Sequence, residues 1–125
     1  MLRYRFRPHN RLKTPKEFQS VFDQNSIRVG SPSLLILAKD NQLEHARLGL
    51  VIRKKNIRLA HDRNNVKRVV RESFRHLQNQ LVGLDCVVLS RPQANELSAK
   101  ELRTLTDQMF CSLAKKYNAN TNENP

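Results

Sequence analysis

The stretch Asp62-Arg63-Asn64-Asn65-Val66-Lys67-Arg68-Val69-Val70-Arg71-Glu72-Ser73-Phe74-Arg75-His76-Leu77-Gln78-Asn79-Gln80-Leu81-Val82-Gly83 carries two patterns at once. Val66, Val69, Val70, Phe74, Leu77 and Leu81 recur at helical spacing and fall within about 140° of arc, wide enough to seat a helix on a sheet. Gly83 supplies the stop, so the spacing predicts a helix from about Asp62 to Val82. Arg63, Lys67, Arg71 and Arg75 recur every fourth residue, and Asn64 and Arg68 fall beside them on the adjoining face.

A helix that buries one stripe needs a surface to bury it on, and the flanking sequence offers strands. Ser33 to Ala38 and Ala46 to Ile52 are short, branched and apolar. The polar Lys39 to His45 between them predicts two antiparallel strands joined as a hairpin. Gly49 inside the second marks a bulge or a close backbone approach. Cys86 to Leu89 reads as a buried strand ended by Ser90, Arg91 and Pro92, and Arg28 to Pro32 as a loop broken by Gly30 and Pro32. Thr14, Pro15 and Glu17 spell a capping box with proline at the first helical position, for a helix presenting Phe18, Val21 and Phe22 on one side. Ser98 and Glu101 spell a second box, with Leu97 and Leu102 set as a staple. Leu102, Leu105, Met109 and Leu113 form its inward stripe. The order is α–β–β–α–β–α, a small α+β domain over residues 11–117. Residues 1–10 form a basic arm containing Tyr4 and Phe6, and an Asn-rich tail from 118 to 125 is expected to be disordered.

Charge narrows the function classes. Residues 53 to 76 hold nine cations (Arg53, Lys54, Lys55, Arg58, Arg63, Lys67, Arg68, Arg71, Arg75) against Asp62 and Glu72. The first 16 residues add six cations and no acid, so two segments account for the whole formal charge of +12. Solubility alone does not require such self-repulsion; a polyanion partner does, and a nucleic acid is the first candidate. The acids are too scattered for a two-metal nuclease, and the four histidines and two cysteines lack zinc spacing. Catalysis by this chain itself is therefore not expected, and no catalytic or metal-binding residue is assigned. No apolar run approaches the roughly 20 residues of a membrane span or the roughly 7 to 15 of a signal peptide, so a cytoplasmic protein with two reduced thiols is expected.

The run Arg63-Asn64-Asn65-Val66-Lys67-Arg68-Val69-Val70-Arg71-Glu72 resembles the signature helix of the bacterial ribonuclease P protein subunit. Arg47-Leu48-Gly49-Leu50-Val51-Ile52-Arg53-Lys54-Lys55 is similar to that family's strand and Lys-Lys pair. Arg11-Leu12 with Glu17-Phe18-Gln19-Ser20-Val21-Phe22 is similar to its first helix, and Asp85-Cys86-Val87-Val88-Leu89-Ser90-Arg91-Pro92 to its last strand and turn. Asn65 stands where the family usually has arginine, and Ile57-Arg58-Leu59-Ala60-His61 where it often has a small-residue linker. The resemblance implies a mixed sheet packed by helices, with a left-handed crossover through the basic helix between two parallel strands. It implies a subunit of a ribonucleoprotein that removes the 5′ leader from precursor tRNA. The catalytic RNA would hold the Mg²⁺ ions, the signature helix would pack on that RNA, and a cleft between first helix and sheet would receive the leader. Neither membrane association nor protein oligomerisation is implied.

The expected RNA-binding residues are Arg53, Lys54, Lys55, Arg63, Asn64, Lys67, Arg68, Arg71 and Arg75. Arginine suits them because its planar paired donors match phosphate, and Asn64 can bond a sugar hydroxyl or a base edge. Phe18 and Phe22 are the leader-binding candidates, one helical turn apart and able to stack on unpaired bases; the competing reading makes them core. Two other functions compete. A non-catalytic RNA-binding protein of ribosome or ribonucleoprotein assembly would use the same stripe. A helix-turn-helix DNA reader would lack the strands.

Overall fold

The computed structural model describes residues 8–122, so the arm's Tyr4 and Phe6 lie outside the described residues. Three helices, α1 (Pro15–Gln24), α2 (Ala60–Leu77) and α3 (Ala99–Asn122), pack on a sheet of β1 (Ile27–Gly30), β2 (Leu34–Asp40), β3 (Arg47–Val51) and β4 (Leu84–Ser90). The strand order is β1-β2-β4-β3, with β4 antiparallel to β2 and parallel to β3. The parallel pair is joined through α2, which gives the mixed sheet and helical crossover expected.

Two expectations about the sheet are corrected. The segment Arg28 to Pro32 is not all loop: β1 pairs antiparallel with β2 from Ile27↔Ala38 to Gly30↔Leu35. Ile27 and Val29 alternate with the exposed Arg28, a period-two signal that the breakers Gly30 and Pro32 obscured. Second, β2 and β3 run antiparallel but do not form a hairpin, because β4 inserts between them. The near-total burial of β4 explains this: a strand apolar on both faces gains most in the middle of a sheet, where both edges are also paired. The connection therefore spans two strand spacings, roughly 10 Å. Asn41 N–H anchors it to the Gly83 carbonyl, and Gln42 takes the left-handed conformation at φ 58°.

Alternation along the strands divides the core. Leu34, Ile36 and Ala38, with Leu48, Cys86 and Val88, face the main core built with α2 and α3. The α2 side of it comes from Val66, Val69, Val70 and Phe74, and the Phe74 ring meets Phe110 of α3 edge-on at 5.8 Å. Leu37 and Val87 point to the opposite face, where Leu12 and Val21 cover them and Phe18, Phe22, Leu35, Val51 and Leu89 remain half-buried.

Both capping boxes form. Thr14 Oγ1 accepts from Glu17 N–H at 3.2 Å while Glu17 Oε1 accepts from Thr14 N–H at 2.9 Å; Ser98 and Glu101 exchange bonds of 3.1 and 2.9 Å. The helix α2 ends at Leu77 and tightens into a 3₁₀ turn over Gln78–Gln80, short of the expected Val82. Gly83 then reverses the chain at φ 92°, where a β-carbon would meet the Tyr117 hydroxyl oxygen at 2.6 Å. The last helix continues to Asn122, past the Tyr117 at which ordered structure was expected to end. Among the described residues, no helix is long and apolar enough to cross a membrane, and no group of three or more His, Cys, Asp or Glu side chains could hold a metal ion. Burial pushes the Cys86 thiol well above its ordinary value, so it stays protonated.

Candidate nucleic-acid interface

The basic stripe of α2 is carried on the flank left over when Val66, Val69, Val70 and Phe74 seat the helix. Asn64 and Arg68 are exposed, and Lys67, Arg71 and Arg75 are half-buried. Among the described residues no carboxylate pairs with Lys67, Arg68 or Arg71. Glu72 pairs with Arg75 at 3.2 Å, so Arg75 is partly neutralised and Glu72 is held below the usual carboxylate range. Arg68 Nη2 instead donates to Asn65 Oδ1 at 2.9 Å, so the residue replacing the family's arginine braces its neighbour.

Lys67 and Arg71 reach around the β3 edge to the half-covered face of the sheet. There they line a cavity of about 240 Å³ with Arg11, Leu12, Phe18, Leu48, Gly49 and Leu50. Arg11 arrives by a parallel bridge to Leu48, reinforced by Leu12 N–H donating to the Leu48 carbonyl at 3.0 Å. Burial, and then the charge of Arg11, lower the Arg71 pKa. Three cations thus share an apolar floor, which costs repulsion that an anion would relieve. Gly49 permits this floor. A β-carbon there would stand 2.5 and 2.6 Å from the Phe18 ring, so the close approach expected at this strand glycine is real.

The same face opens again at the other end of the sheet. A cavity of about 250 Å³ is lined by Leu35 and Leu89 below, by Arg53, Lys55 and Arg91, and by Asn56, Ser90 and Pro92. Arg53, Lys54 and Lys55 are all exposed on a tight turn. Asn56 and Ile57 N–H both donate to the Arg53 carbonyl at 3.1 Å; Arg53 N–H donates to Ser90 Oγ at 2.8 Å, and that hydroxyl donates to Asn56 Oδ1 at 2.7 Å. Phe18, Phe22, Leu35, Val51 and Leu89 are the half-buried apolar residues of this face. Each phenylalanine is therefore partly core and partly available.

The structure thus joins Phe18 to Lys67 and Arg71, and Arg53 to Lys55. Asn64, Arg68 and Lys54 line neither cavity, and Arg63 turns to the chain's own backbone. Two lining cations, Arg11 and Arg91, were not among the expected site residues. Arg91 Nη1 donates to the Ser31 carbonyl at 3.0 Å, which fixes it beside the cavity. Its signal was a cation at the end of a buried strand; Arg11 had only its place in a basic segment.

The helix α1 is held over this face by Lys39 Nζ, which donates to Ser20 Oγ at 2.6 Å and Gln24 Oε1 at 3.1 Å, and by a clamp at Arg47. Arg47 gives Nε and Nη2 to the two Asp85 oxygens at 2.8 and 2.7 Å, and Nη1 to Glu17 Oε2 at 2.8 Å. Asp85 is buried and also accepts from Asn41 at 2.8 Å. Backbone bonds from Lys13 and Thr14, with Arg47 beside it, hold Glu17 below the usual carboxylate range.

A profile of the ribonuclease P family matches residues 6–114. The chain belongs to that family. An Ectopseudomonas mendocina protein named ribonuclease P protein component is 46% identical over 110 residues, covering 88% of this chain and 82% of that protein. A Vibrio vulnificus protein of the same name is 45% identical over 112 residues, covering 90% and 94%. Among solved structures, the ribonuclease P protein of Thermotoga maritima in complex with 1-(4-fluorophenyl)-2-thiourea superposes with a TM-score of 0.70 at 28% identity, covering 83% of this chain and 96% of that one. The Staphylococcus aureus ribonuclease P protein superposes at 0.76 with 23% identity, covering 83% and 94%, a likeness of fold. The small mixed α+β domain is therefore the ribonuclease P protein fold.

Proposed function

We propose that this chain is the protein subunit of a bacterial ribonuclease P, assisting a catalytic RNA in endonucleolytic removal of the 5′ leader from precursor tRNA. Family membership supports the assembly. The observation that carries the rest is the shared cavity of Phe18, Arg11, Lys67 and Arg71. It sets an aromatic edge beside three cations at the junction of α2 with the α1 face, the chemistry an unpaired nucleotide needs. An aromatic ring stacks on a base of any sequence, worth ~1–3 kcal/mol, while cations track the backbone.

On this reading, the exposed flank of α2 and the Arg53–Lys55 turn bind the catalytic RNA through phosphates, and the face under α1 takes the single-stranded leader. The Mg²⁺ ions belong to the RNA. Glu17 and Asp85 are paired with Arg47, Glu72 with Arg75, and Asp107 with Ser73 and Arg103. The protein would function in the cytoplasm, where precursor tRNA is made in bacteria.

The test is cleavage of precursor tRNA by a transcribed ribonuclease P RNA at low Mg²⁺, with and without the purified chain. Faster leader removal with the chain is expected. No acceleration, with RNA binding retained, would instead favour a non-catalytic assembly protein.

A further inference from the structure

Arg63 stands in the basic stripe, yet its Nη1 donates to two carbonyls of its own chain, Ile57 at 2.9 Å and Arg58 at 2.8 Å. Both belong to the segment that links the Arg53–Lys55 turn to α2. No side chain caps α2; Leu59 is its N-cap, bonded only through its carbonyl to Arg63 N–H at 3.1 Å. The turn's other end is pinned to β4 through Ser90, and Ile57 is wholly buried between the two attachments. The segment is thus held from β4 on one side, by the buried Ile57 side chain in the middle, and on the α2 side by the Arg63 guanidinium, the one side chain of α2 that bonds its carbonyls among the described residues.

We propose that Arg63 is a positioning residue, which locks the 53–58 segment to α2 so that Arg53, Lys54 and Lys55 meet RNA together with Lys67, Arg68 and Arg71. The inference rests on the RNA-binding reading above. Its physical basis is preorganisation: cations on a fixed frame lose little freedom on binding, whereas the same cations on a loose loop must be ordered by the RNA. The residue type fits the task. A planar guanidinium holds its donors in a rigid fork, while a lysine ammonium keeps the charge as a flexible point. The role also accounts for the linker Ile57-Arg58-Leu59-Ala60-His61, which has neither a glycine nor a capping side chain to set its own shape.

A double-mutant cycle on the full chain separates bracing from charge, with transcribed ribonuclease P RNA as the probe and affinity read across a KCl series. In the wild-type background, Lys54→Ala with Lys55→Ala should weaken binding about tenfold and flatten the salt slope by about two counterions. In an Arg63→Lys background the same pair should cost less than about threefold, since cations already loosened have little left to lose. Wild-type affinity for Arg63→Lys, or losses that simply multiply, would overturn the proposal and return Arg63 to a plain phosphate contact. Amide exchange gives a reading independent of RNA. Asn56 and Ile57 should exchange faster in Arg63→Lys and in Arg63→Gln while Val69 and Val70 keep their protection, and unchanged Asn56 and Ile57 would equally overturn it. A wild-type chain that fails to bind the RNA at any salt would instead sink the RNA-binding reading itself.

Discussion

Gly49 and Arg71 show how single residues shape the face under α1. A side chain at Gly49 meets both the Phe18 ring and, at 3.0 Å, Leu12 Cδ1. Gly49→Ala should therefore cost ~1–3 kcal/mol, as overpacking does, and show as a lower midpoint in chemical denaturation. An unchanged midpoint would mean that Phe18 swings away freely. Arg71 acts in the opposite sense, since burial and Arg11 both disfavour its charge. Arg71→Ala should leave thermal stability intact or raised while weakening RNA binding and flattening its salt dependence by roughly one counterion. A melting temperature that falls with unchanged salt slope would make Arg71 structural. The sequence marked Gly49 as either a bulge or a close approach, the two usual reasons for a glycine amid branched strand residues. It could not name Phe18 as the neighbour, since that contact needs α1 and β3 to be placed first.

At the scale of elements, legibility followed the range of the interactions. The starts of α1 and α3 were readable from Thr14 and Ser98 because a capping box closes within three residues. The seat of α2 was readable because Val66, Val69, Val70 and Phe74 repeat at one period. Strand order was not, because it depends on which strand best fills the middle of the sheet, and β4 wins over its sequence neighbours by burial. The clamp of Arg47 on Glu17 and Asp85 was equally hidden, joining three elements distant in sequence. Removing its centre should be severe: Arg47→Ala leaves buried Asp85 without its main partner and should destabilise by ~3–5 kcal/mol, read from denaturation midpoints. Glu17 adds a pH dependence of known sign. Its folded pKa lies below the ordinary 4.5, so its contribution is complete above that value and is lost as pH falls through the lowered one. The melting temperature gap between wild type and Glu17→Gln should accordingly close on acidification below 4.5; a constant gap would show that the carboxylate charge is not what stabilises α1.

Across the whole molecule, the formal charge of +12 arises from two segments, and the fold brings members of both together where Arg11 meets Lys67 and Arg71. The sequence disclosed the excess and its polyanion partner, but not this meeting, which depends on the N-terminal segment running along the β3 edge. The face beneath α1 combines that charge with half-buried aromatics, the pairing that an unpaired RNA strand requires. The most direct measurement is the affinity of the assembled enzyme for precursor tRNA relative to mature tRNA, for wild type and for Phe22→Ala. The ratio should fall in the variant because only the precursor offers a leader to the half-buried ring. Equal losses for both substrates, with the ratio preserved, would contradict a leader site on this face and leave Phe22 to the core.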